Sequence, residues 1–244
     1  MDLTTSFEEA VPADVFVRYD FFETRKAAAI LKATNQQAFS EVIEILRHFV
    51  LVDDDLILAG GEESGLAKRL NYEFRERGWR EGRVDTTIKL VLRLMPFADA
   101  GETSPHIEES GVTNEGYKVD NVKDRIAMDL EWNAKDGNLD RDLAAYRALY
   151  DAGLIDGAIL VTRTIDDLRE LGYQVRIKAG FDEKAARNVL STSTTTNTKK
   201  LIPRLQRGDA GGCPILVAAI CRRTWAGWQP DNHRDTNQRS TLTK

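Results

Sequence analysis

The sequence predicts an α/β protein: a central mixed β-sheet flanked by helices, with further helices at the N-terminal end. Three observations carry this. Residues 119–163 read strand (or bent strand pair), helix, strand ("VDNVKDRIAMDLEW", "NLDRDLAAYRALYDAG", "DGAILVTR"), a crossover unit whose outer strands should lie parallel. Apolar residues recur at helical spacing in the first third of the chain. At 244 residues, 42% of them hydrophobic, the chain can bury a sizeable core.

Taken in order, "DVFVRYDFF" reads as extended. Two helices follow, the second being "QAFSEVIEILRHFVL" with Phe39, Val42, Ile43, Leu46 and Val50 on one face. "AGGEESG" is a glycine-rich turn without the Gly-Lys-Ser/Thr ending of a phosphate-binding loop, so it argues little for a nucleotide. It opens the helix "GLAKRLNYEFRERGW", where Leu66, Leu70, Phe74 and Trp79 recur. "DTTIKLVLRLM" fits strand or helix, and "PFADAGETSPHIEESGVTNEGY", with its prolines and glycines, reads as a loop. After the crossover unit, "GYQVRIK" and "CPILVAAICR" add two strands. Residues 1–228 are expected to form a single domain, with a helical part over 1–58 and the core over 59–228. The polar stretch 229–244 has little to bury and reads as a tail.

The start "MDLTTSFEEA" is acidic, and no apolar run approaches 18 residues, so a cytoplasmic protein without a membrane span is expected. Cys213 and Cys221, with the scattered His48, His106 and His233, lack the spacing of a zinc site. Net charge is −5, yet residues 187–223 hold seven basic residues against Asp209 alone, a local +6 that leaves about −11 elsewhere. Such asymmetry suits a polyanion met along one surface.

The chemistry concentrates in "VDNVKDRIAMDLEWNAKD", residues 119–136. Strand alternation turns Ile126, Met128, Leu130 and Trp132 to one face and Ala127, Asp129 and Glu131 to the other. Two carboxylates on a central strand repel unless a cation lies between them. Mg²⁺, which takes oxygen ligands and keeps several waters, meets that need, with Asp120 supplying a third carboxylate. An acidic metal strand followed by a basic polar segment is what hydrolysis of a phosphodiester requires. Asp124 competes with Asp120 for the first position.

The order of "FRERGWREGR", "VDNVKDRIAMDLEW", "RDLAAYRALYDAGLIDGAILVTR" and "RGDAGGCPILVAAI" resembles the BglII/BstYI group of type II restriction endonucleases, in the PD-(D/E)XK nuclease superfamily. The resemblance implies a restriction-endonuclease-like core and a homodimer that cuts both strands of a short, GATC-containing palindrome. The cofactor implied is Mg²⁺, and a cognate DNA methyltransferase would protect the host. It places the metal acids on Asp120 and Asp129 and the third active-site position on Glu131, where most of the superfamily has lysine. A glutamate there could orient or deprotonate the attacking water. It places DNA contacts on Asn133, Lys135 and the polar run "STSTTTNTKK", with Ser191, Ser193, Thr194, Thr195 and Asn197 towards bases. Lys199, Lys200, Arg204 and Arg207 are suited to phosphates. Helices near 28–51 or 62–79 could form the dimer surface. A structure-specific repair nuclease on the same core, or a non-catalytic DNA-binding protein, are the competing readings.

Overall fold

The computed structural model describes residues 1–58 and 64–229. In chain order the elements are β1 (Leu3–Thr4), α1 (Phe7–Ala10), α2 (Ala13–Phe16), β2 (Tyr19–Thr24), α3 (Ala27–Thr34), α4 (Gln36–His48), α5 (Asp53–Ile57) and α6 (Gly65–Glu76). Then come β3 (Arg80–Arg83), β4 (Thr86–Leu94), β5 (His106–Asn114), β6 (Lys118–Lys123), β7 (Ile126–Leu130), α7 (Gly137–Asp151) and β8 (Gly157–Arg163). The chain closes with α8 (Asp166–Lys178), α9 (Glu183–Arg187), α10 (Thr198–Arg207) and β9 (Ile215–Ile220). Most of the "AGGEESG" turn and all but the first residue of the expected tail lie outside the described residues.

Seven strands form one mixed sheet in the order β1-β2-β9-β8-β7-β6-β3. The expected crossover is present: β7 and β8 run parallel, with Leu130 opposite Val161. β8 and β9 are buried along their whole length, as near-continuous apolar runs require when both sheet faces are covered. One face packs on the N-terminal helices and α8 through Met128, Ile159 and Leu216. The other packs on α7 and α10 through Ala127, Leu160 and Val217. Residues 1–58 supply helices and also β2, which pairs antiparallel with β9.

Three expectations need correction. "DVFVRYDFF" is not extended throughout, since Ala13–Phe16 form the helical turn α2 and the strand begins at Tyr19. "GYQVRIK" is the second half of helix α8, whose Leu168, Leu171, Gly172 and Val175 face inward. Seven residues were too short a window to show that period. Gly172 is required there: a Cβ would stand 2.7 Å from Val189 Cγ2. Finally, the presumed loop 96–117 contains β5, paired along nine residues with β4. Every residue of both strands is exposed, so backbone pairing rather than burial makes this ribbon, and a hydrophobicity pattern could not reveal it. The ribbon continues the β3/β6 pair beyond the sheet edge. Its register puts Ile88, Leu90, Leu92, Leu94 and Val112 on one uncovered face.

Candidate active site

"VDNVKDRIAMDLEW" folds as the antiparallel hairpin β6/β7, with Lys123 opposite Ile126 and the turn at Asp124–Arg125. Asp124 takes a left-handed conformation (φ 50°), which a short polar side chain tolerates. The turn exposes it, away from the other acids. Asn121 pairs with Met128, so Asp120 falls beside Asp129, and the Asp120 N–H donates to Asp129 Oδ1 at 2.7 Å. Glu131 continues the strand, its N–H donating to the Val161 carbonyl at 2.8 Å.

Helix α7 closes over this face. Its inward stripe, Leu139, Asp142, Leu143, Tyr146 and Leu149, carries two polar side chains, and both reach the acids. The Tyr146 hydroxyl donates to Asp129 Oδ2 at 2.6 Å. Asp142 stands against Glu131, and both are buried. Sequence reasoning missed Asp142 and Tyr146. The available signal was an aspartate on the apolar stripe of an amphipathic helix, where solvent cannot account for it.

The electrostatics follow from this crowding. Burial, with the charges of Asp142 and Asp120, pushes the Asp129 carboxyl up to about 7, against the lowering effect of the Tyr146 hydroxyl and the Asp120 amide. Glu131 is driven well above the usual carboxylate range by burial and then by Asp142. Asp142 is raised by burial despite Arg141, whose Nε is 3.6 Å away. With both carboxyls ionised, Glu131 Oε2 and Asp142 Oδ2 are buried and accept from no N–H or O–H among the described residues; a proton held between the two carboxyls hydrogen-bonds one to the other. Asp120 and Glu131 open onto a cavity of about 390 Å³, together with Asn71, Arg75, Asn133 and Arg141.

This donor set suits a hard divalent cation: clustered carboxylates, two orphaned buried oxygens, and raised proton affinities that mark surplus negative charge. Among the described residues no three acids, histidines or cysteines already stand at ligand spacing, so gathering an ion requires the side chains to turn.

The residues expected at DNA divide into two sets. Asn133, Lys135 and Ser191–Thr194 are exposed, and Asn133 also lines a second cavity of about 390 Å³ with Ser191, Thr192 and Thr195. Asn197 is instead buried: its carbonyl caps α10 by accepting from the Lys200 N–H (3.3 Å), and its amide donates to the Thr195 carbonyl (3.0 Å). The four expected phosphate contacts all hold acids. Lys199 pairs with Asp166 (2.6 Å), Lys200 with Asp136 (3.0 Å), Arg204 with Asp140 (2.6 Å) and Arg207 with Asp209 (2.6 Å). Asp209 is already counted in the local +6, but Asp136, Asp140 and Asp166, with Glu183 beside Arg187 and Asp20 beside Arg223, are brought in from outside the segment and offset most of it. Exposed pairs of this kind contribute little, and a phosphate can displace the acid.

A seven-stranded mixed sheet flanked by helices, with carboxylates gathered on the β6/β7 hairpin, is the architecture of a restriction-endonuclease-like fold. The family model for restriction endonuclease BglII/BglIII matches residues 19–220, and the chain belongs to that family. Its members' activity makes this a nuclease whose substrate is DNA. No curated protein sequence matches the chain.

Proposed function

We propose that the protein is a homodimeric, Mg²⁺-dependent type II endonuclease that hydrolyses both strands of a short palindrome, with a GATC-containing site as the first candidate. One observation supports this best: Asn133 lines both the acid cavity and the cavity of the polar loop, so bases and scissile phosphate would be met along one strand. A repair nuclease reading phosphates alone has no use for that loop.

In this reading Asp120 and Asp129 would hold the Mg²⁺, with Glu131 beside it. When bound, the ion acidifies water and screens the phosphoryl charge. The chain's own groups do the rest. Tyr146 and the Asp120 amide fix the Asp129 carboxylate, so it does not reorganise as charge develops. Arg75 and Arg141 face the anionic substrate across the cavity. Glu131, once it has lost its proton, accepts one from the attacking water. Asn133, Lys135, Ser191, Ser193 and Thr194 meet base edges, Thr195 ties the loop to Arg163 and Thr192 through its hydroxyl, and Lys199, Lys200, Arg204 and Arg207 exchange their acids for phosphates.

Digestion of a sequenced viral genome with Mg²⁺, followed by mapping of the ends, tests the reading. Discrete fragments sharing one palindrome are expected. A smear, or no cutting with any divalent ion, would overturn it.

Cutting both strands requires a second copy related by a two-fold axis. The ribbon supports this partner. Residues 85–115 carry six acids against Lys89 and Arg93, a charge that repels DNA, while the uncovered apolar face offers itself to a like face. Leu90→Glu combined with Leu92→Lys is expected to turn a dimer into a monomer in sedimentation, and to convert double-strand cuts into nicks or no cuts. An unchanged mass would assign the dimer surface elsewhere, and the groove between α4 and α6, lined by Phe49, Val52, Leu70 and Tyr72, is the next candidate. No helix among the described residues is long and apolar enough to cross a membrane.

A further inference from the structure

Arg163 ends the apolar strand β8 and is 0% exposed, yet among the described residues it forms no ion pair. Its guanidinium is held by neutral groups alone. Nε donates to the Trp132 carbonyl at 2.8 Å, Nη2 to the Thr195 hydroxyl at 3.0 Å, and Nη1 more weakly to the Thr164 carbonyl at 3.4 Å. The Trp132 ring lies 5.9 Å from Cζ. Burial draws its pKa down to about 10, with Arg169 adding to the effect. A buried cation without a counter-ion is costly, and an apolar side chain of similar volume would ordinarily stabilise the site better.

Two segments meet at this arginine. Trp132 directly follows Glu131 on the carboxylate strand, and Thr195 belongs to the polar run. Around them the strand extension and the loop are stitched together. The Asp136 N–H donates to the Thr194 carbonyl (2.7 Å) and the Thr196 N–H to the Ala134 carbonyl (2.9 Å). The Thr162 and Thr196 hydroxyls both donate to the Glu131 carbonyl, at 2.9 and 3.2 Å. The Thr195 hydroxyl passes its own proton to the Thr192 carbonyl at 3.0 Å, inside the exposed part of the loop. Displacement of residues 192–195 therefore pulls on Trp132 and Glu131 through one rigid planar fork. Arg163 sits on the sheet face opposite the carboxylates, so it acts through these backbones and touches no substrate.

We propose that Arg163 is a positioning residue that couples the polar loop 191–197 to the carboxylate strand, so that correct docking of the loop on DNA sets the position of Glu131. This rests on the nuclease reading above. It predicts that the residue governs turnover and discrimination more than binding.

The test uses the full-length dimer and the palindrome found by end mapping, beside a site altered at one base pair. Arg163→Met is expected to lower single-turnover cleavage of the true site about 100-fold and to cut the preference for it over the altered site about tenfold, while DNA affinity changes by about threefold or less. Thr195→Val, which removes the hydroxyl that accepts from Arg163 and donates to the Thr192 carbonyl, should lose preference in the same direction, and Thr195→Ser should retain it. Arg163→Met with Thr195→Val should be no worse than Arg163→Met alone, because both break one link. Strictly additive effects, or an unaltered preference in a folded Arg163→Met, overturn the proposal. Should Arg163→Met fail to fold, the Val/Ser pair at Thr195 decides: equal preference in both overturns it. Absence of discrete cleavage by the unaltered protein would overturn the nuclease reading itself.

Discussion

Asp129→Asn is expected to abolish cleavage and, without divalent ions, to raise the thermal midpoint at pH 8. The two effects have one cause. The Asp129 carboxyl titrates near 7 in the folded protein instead of near 3.8, because burial and the charges of Asp142 and Asp120 oppose its ionisation. A raised folded pKa means that the stability present below about pH 4 is lost as the pH rises through 7. At pH 8 that loss amounts to roughly 4 kcal/mol for a shift of about three units. For a chain of this length it corresponds to a midpoint lower by on the order of 10 °C. Asparagine keeps the shape and carries no charge. Its oxygen still accepts from the Asp120 amide, and the Tyr146 hydroxyl can turn to accept from its NH₂. Calorimetry in chelator at pH 5 and pH 8 should show the unaltered protein losing stability across that interval and the variant losing much less. Added Mg²⁺ should raise the midpoint of the first and barely move the second. Cleavage by the variant should fall by about 10³-fold or more while DNA binding persists. Parallel pH dependence in the two proteins would place the charge elsewhere.

What the sequence made legible follows from what each residue's neighbours are. β7 and β8 could be read because strand periodicity is local and their partners are joined by a single helix. Asp129 and Glu131 stood out for the same reason, since alternation alone puts them on one face. Asp120 was less clear. Its rivalry with Asp124 turned on where the hairpin reverses, and the turn at Asp124–Arg125 separates them by register, which no short window contains. β5 escaped because all nine of its residues are exposed and its only organising partner is β4. Asn197 looked like one more amide in a polar run, when its role was to cap α10. The ion pairs of Lys199, Lys200 and Arg204 join residues at least 33 positions apart, so composition showed a basic segment where the fold shows local near-neutrality. Asp142 is the instructive omission. "NLDRDLAAYRALYDAG" was read for its apolar stripe, and the one acid within that stripe was the fourth carboxylate of the site.

Asp142 therefore carries the second large effect, in how Mg²⁺ and protons compete. Burial raises the proton affinity of Glu131, and the neighbouring Asp142 raises it further, so at neutral pH Glu131 holds a proton that a divalent ion must displace. For each proton displaced, the Mg²⁺ needed for half-maximal cleavage should fall about tenfold per pH unit across the range where that proton is bound. Asp142→Asn takes away the adjacent negative charge. Glu131 then ionises at lower pH, the acid limb of the pH–rate profile moves to lower pH, and the Mg²⁺ requirement becomes flatter between pH 6 and pH 8. The sign separates two roles. If Asp142 were itself a ligand of the ion, its loss would raise the Mg²⁺ requirement at every pH and leave the slope unchanged. If it acts through Glu131, the requirement falls at pH 6 and converges with that of the unaltered protein at high pH, where Glu131 is ionised in both. A profile identical to the unaltered protein at all pH values would remove Asp142 from the site altogether. Arg141→Gln gives the opposite sign. It removes the cation that favours ionised Asp142, so the carboxyl pair holds its protons more tightly and the Mg²⁺ requirement at pH 6 should rise.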